Sequence, residues 1–149
     1  MNLKFIIFLI LPLVFSHHMS AQIYDYKLVK VGFKYHNKIP GIYVIRSKPD
    51  WIYLWTNSIS EKDPMPTPDF NKEIIIAVFR SVCPTAEYGI NIHKISFVNK
   101  DLLVEIENSN PGENCRRSMD PTMPFAIYSI RKTSMVIYFK QSTKLKNCN

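Results

Sequence analysis

From residue 26 onward the chain is divided into seven short runs rich in Val, Ile, Tyr and Phe, each ended by Pro, Asn, Asp or Ser. Branched and aromatic side chains fit a pleated surface and the breaker residues interrupt it, so the pattern calls for strands. They are expected over 26–33, 41–46, 73–80, 88–98, 101–107, 124–131 and 135–141. The apolar run at 73–79 reads as a buried strand. Between 90 and 97 the apolar positions change face partway, which a bulge or strong twist at 93–95 reconciles. Asn99-Lys100 leaves two residues between strands, with Asn where a tight hairpin turn favours it.

One segment has a different period. Ser47-Lys48-Pro49-Asp50 places an N-cap Ser three residues before a carboxylate, with Pro in the first turn. Trp51, Leu54 and Trp55 follow at helical spacing, so a helix is expected over 48–57 with its two Trp packed on the sheet. The Pro-rich stretch 63–68 reads as a stiff linker. The expected architecture is mainly β: an antiparallel β-sandwich or partly open barrel with one short α-helix on the N-terminal side. If strands 73–80, 88–98 and 101–107 form a meander, loops 81–87 and 108–121 lie at the same end, together with the C-terminal tail. Cys83, Cys115 and Cys148 then share one pole.

Residues 1–21 have a short positive start, an apolar stretch at 5–15 and a polar end at Ala21, the layout of a cleaved secretory signal. The apolar stretch is too short to span a bilayer. Removing 21 of the 149 residues leaves 128, at 22–149, room for a single β-rich domain. No Cys stands at the cleavage point to accept a lipid, so the expected product is secreted or periplasmic, with no membrane anchor after cleavage. The 19 Lys and Arg against 12 Asp and Glu are scattered along the chain. In an exported protein they read as a basic surface, and no nucleic-acid partner is expected.

Export also bears on the cysteines, because two loop cysteines should be oxidised. Cys83 with Cys115 is the first choice, since both lie in adjacent loops, and pairing of either with Cys148 stays open. The chain-entropy relation gives such a bond about 3–4 kcal/mol. No Gly-x-Ser-x-Gly, Gly-rich phosphate loop, His-Glu-x-x-His or Cys-x-x-Cys occurs. His36 and His93 are the only histidines after the leader, and Glu105 and Glu107 share one solvated strand face. No catalytic residue, metal or cofactor is therefore assigned. The distinctive chemistry lies in the loops: Pro84, Thr85, Glu87 and Tyr88 in one, Arg116, Arg117, Thr122, Pro124 and Phe125 in the other. Stiffened loops with Tyr and Arg at the tip of a sandwich suit protein recognition.

Several of these residues carry a family resemblance. Trp51 and Trp55 on the helix, Pro68-Asp69-Phe70-Asn71-Lys72-Glu73 entering a strand, Pro84-Thr85 leading to Tyr88, Pro111-Gly112 with Cys115, and Thr122-x-Pro124-Phe125 before Ile130-Arg131-Lys132 occur in that order. Over 51–139 the chain resembles the C-terminal domain of the PrcB family, named for a protein that stabilises a secreted protease complex. The resemblance implies a non-catalytic interaction module whose partner is another exported protein, a protease among the candidates. Where that family has Pro-Thr-Gly-Gly-Tyr, this chain has Ala86 and Glu87 in place of both glycines. The family loop is itself similar to that of chagasin-type protease inhibitors, which are immunoglobulin-like sandwiches, and this similarity supplies the alternative function. Neither resemblance implies an oligomeric state.

Overall fold

A computed structural model describes residues 23–36, 40–59, 64–116 and 118–148. The expected leader at 1–21 and Arg117 lie outside the described residues. The elements are β1 (Tyr26–Gly32), β2 (Gly41–Ile45), α1 (Lys48–Ser58), β3 (Glu73–Phe79), β4 (Gly89–Val98), β5 (Asp101–Pro111), β6 (Phe125–Arg131) and β7 (Ile137–Lys146). They form a β-sandwich. One sheet has the order β1-β6-β3-β2, the other β4-β5-β7, and α1 covers the outer face of the first.

The burial of β3 explains these layers. Its alternate residues Ile74, Ile76 and Val78 pack with Ile92, Val104 and Ile106 of the facing sheet, while Ile75, Ala77 and Phe79 pack with Trp51, Leu54 and Trp55. A strand covered on both faces must be apolar throughout, and burying each large side chain stabilises the fold by about 1.5–3 kcal/mol. The helix forms where its caps predict. The backbone N–H of Asp50 donates to Ser47 Oγ at 3.3 Å, and that hydroxyl donates back to the Asp50 carboxylate at 2.6 Å. Trp51, Leu54, Trp55 and Ser58 form its buried stripe. The Trp51 indole N–H donates to Pro66 O at 2.9 Å, tying the linker to the helix.

The β4–β5 register shifts between Ile92 and Lys94, which places the expected bulge at His93. Asn99, at φ 58°, takes the left-handed conformation in the hairpin turn. Gly32 is required by proximity: a Cβ there would lie 2.4 Å from the Phe125 ring.

Two expectations need correction. The meander from β3 does not exist: β3 pairs with β2 and β6, and the chain crosses to the other sheet before β4. Its two apolar faces demand a central, covered position that a sheet of half-exposed strands cannot supply. The second concerns strand length and pairing. β5 runs to Pro111 and β7 to Lys146, beyond the expected ends at 107 and 141, and they pair in parallel from Leu102↔Ile137 to Pro111↔Lys146. The polar ends lack strand patterning, yet each supplies the other's ladder.

Candidate functional site

The loops at 80–88 and 112–124 meet at one pole, as expected. Cys83 N–H donates to Thr122 O at 2.7 Å and Thr122 N–H to Cys83 O at 2.9 Å. Ala86 N–H donates to Ser118 Oγ at 3.1 Å, and Ser118 N–H to Glu87 Oε1 at 3.0 Å. These contacts join the loops at both backbone and side-chain level. Ala86 and Glu87 have no positive φ. The Glu87 carboxylate makes a loop-to-loop bond that glycine could not.

All three cysteines lie at this pole, but the first-choice pair is wrong. The disulfide joins Cys115 to Cys148, whose Cα atoms are 4.9 Å apart, and Cys83 is a buried free thiol. The cause is the unexpected length of β7. Its parallel register with β5 continues into a bond from Gly112 N–H to Lys146 O at 2.9 Å, which brings the tail beside the 112–115 turn. The Asn114 side chain then brackets Cys148, accepting from its N–H and donating to its carbonyl. Burial pushes the Cys83 thiol above its usual value, with Arg80 opposing the shift, so the neutral, unreactive form is favoured.

The proposed recognition residues divide into two groups. Pro84 and Arg116 are exposed, and Glu87 and Tyr88 are half-buried at the surface. Thr85, Thr122, Pro124 and Phe125 are buried. The Thr122 hydroxyl donates to Thr85 O at 2.8 Å, and Phe125 stacks on Phe79 with ring centroids 5.6 Å apart. This second group supports the pole from inside and presents nothing to a partner.

Sequence reasoning missed two parts of the site. The first is Arg80, whose Nη1 donates to Gly89 O at 2.9 Å and Ser109 O at 3.0 Å, and whose Nη2 donates to Asn110 Oδ1 at 2.6 Å. Its guanidinium carbon lies 5.0 Å from the centre of the Tyr88 ring. Arg80 therefore links the first sheet to both β4 and β5 and positions Tyr88. The available signal was a charge placed directly after the buried apolar run of β3. The second is a cleft of about 310 Å³ between the edges of the two sheets, lined by Val31, Phe33, Ala86, Glu87 and Tyr88 among others. Phe33 is 55% exposed, and its carbonyl accepts from Met123 N–H at 2.7 Å, which fixes it to the pole. Val82, Met119 and Leu145 are also exposed at this end of the molecule. A large apolar residue directly after a strand gives no sign of its exposure until the topology is known.

No family model matches the chain, and no match was found among curated proteins or solved structures.

Proposed function

We propose that the protein is an exported, non-catalytic interaction module that binds another exported protein through the disulfide pole, with a secreted protease complex that it stabilises as the partner class. The observation that carries this reading is the exposure of Phe33, Val82, Met119 and Leu145 around a pole braced by hydrogen bonds and a disulfide. Apolar side chains grouped at one end on a rigid support suit a surface that becomes buried on association. Tyr88 supplies an aromatic anchor held by Arg80, and Arg116 meets an acidic patch on the partner. The disulfide suggests an oxidising compartment, in keeping with a cleaved leader at 1–21. Of these residues, Tyr88 and Cys115 are also among those that carry the PrcB resemblance. The inhibitor reading has less support, because a tip tied to Ser118 through Ala86 and Glu87 lacks the bare backbone that the glycines would give.

The test is quantitative co-purification from native envelope and culture fractions, using wild type and the double variant Tyr88→Ala/Arg116→Ala, both checked for folding. A partner recovered by wild type and lost with the variant is expected. Equal recovery by both would remove the pole from consideration.

A further inference from the structure

The strands β1, β2, β4 and β7 lie at sheet edges, and three of them are protected against further pairing. β1 carries Lys27, Lys30 and a register shift after Leu28. β4 has its bulge and Lys94, and Tyr24 N–H donates to Ile95 O at 2.9 Å across it. β7 carries Lys140, Lys144 and Lys146. Charges, bulges and covering segments are the usual devices that keep an edge from recruiting another strand. β2, Gly-Ile-Tyr-Val-Ile, has a regular register with β3 and no charge.

Open space flanks the same strand on both faces. Between β2 and α1 lies a groove of about 350 Å³, lined by Tyr43, Ile45, Tyr53 and Leu54 with Asp50 and Ser58. Between β2 and the second sheet lies a cleft of about 350 Å³, lined on its polar side by Arg80, Ser81, Asn108, Gln141 and Thr143. Among the described residues lining that cleft, none is acidic. The side chains of a strand laid beside β2 would point alternately into the helix groove and into the cleft.

We infer that the edge of β2 is a second binding site, which accepts an extended segment of a partner protein by strand addition. The segment alternates apolar residues, seated against Tyr53 and Leu54, with acidic residues directed toward Arg80. Charge complementarity selects the acid, since the cleft's ionisable group is a cation and the whole chain carries a formal charge of +7. Backbone bonds along β2 supply affinity and the two grooves supply specificity, the division of labour expected of strand addition. A second copy would bring a chain of the same positive charge to this edge, whereas an acidic segment complements it. This site shares Arg80 with the Tyr88 surface, so the test reads β2 and α1 rather than the pole loops.

The probe is an end-blocked peptide alternating leucine with glutamate, titrated into isotope-labelled protein by NMR. Shifts and slowed amide exchange are expected at 41–45 and along α1. Replacing glutamate with lysine should weaken binding about tenfold or more, as should Tyr53→Glu on the exposed face of α1. Of two peptides N-methylated at alternate residues, one should bind and the other should not, because only one edge of the peptide faces β2. Equal binding of both methylated forms, shifts confined to β7, or no shifts at 41–45 would each overturn the inference. Self-association of the protein through β2 would overturn it too, in favour of a second copy.

Discussion

Replacing Arg80 tests the bracing of the pole. Its guanidinium makes three hydrogen bonds, to Gly89 O, Ser109 O and Asn110 Oδ1, and contacts the Tyr88 ring. A hydrogen bond from a charged donor contributes about 1.5–3 kcal/mol when buried. Arg80 is half-buried, so water can reach part of what a substitution uncovers, and about 0.5–1 kcal/mol per bond is the appropriate scale. The ring contact adds roughly 0.5–1 kcal/mol. Arg80→Met should therefore destabilise the fold by about 2–4 kcal/mol, and Arg80→Lys by about 1–2 kcal/mol, because an ammonium keeps the charge but lacks the planar fork. Urea unfolding followed by circular dichroism measures both, and at this chain length the Met variant should melt on the order of 10 °C lower. If Arg80→Lys matches wild type to within about 0.5 kcal/mol, the fork geometry is irrelevant and the reasoning fails.

Three further outcomes follow from the same geometry. With a sequence separation of 33 between Cys115 and Cys148, the paired change to Ala should cost about 3.5–4 kcal/mol by the chain-entropy relation, and peptide mapping should find this pair and no bond to Cys83. Burial raises the proton affinity of Cys83, Tyr35 and Tyr128, so the folded state holds these protons more tightly than the unfolded chain. The resulting stability is complete below about pH 9 and is lost as pH rises through the raised values; chemical denaturation as flat at about pH 10.5 as at about pH 7 would contradict it. Thr85 Oγ1 is buried with no hydrogen-bond partner among the described residues, whereas Thr122 Oγ1 donates to Thr85 O, so Thr85→Val should be neutral or stabilising while Thr122→Val costs about 1–2 kcal/mol in thermal unfolding.

What could be read before the structure was what local chemistry dictates. The seven strands, the capped helix, the bulge at His93 and the turn at Asn99 follow from side-chain shape, period and backbone preference over a few residues. Partner choice between strands is non-local, and there the reading failed. The polar segment 141–146 becomes a strand because β5 lies beside it, and that pairing carries Cys148 to Cys115. The pole could be inferred from strand direction alone. Which of its residues face water could not: Thr122, Pro124 and Phe125 turn inward to fill the space under the loops, while Phe33 arrives at the surface from a distant part of the sequence.

The most direct measurement of the central claim is a hydrogen-exchange footprint of the protein in complex with the partner that it captures. If the disulfide pole is the working surface, amides at 81–88 and 112–116 should exchange more slowly in the complex, and Tyr88→Ala/Arg116→Ala should abolish that protection. A complex that forms with full affinity while both loops exchange as fast as in the free protein would contradict the claim.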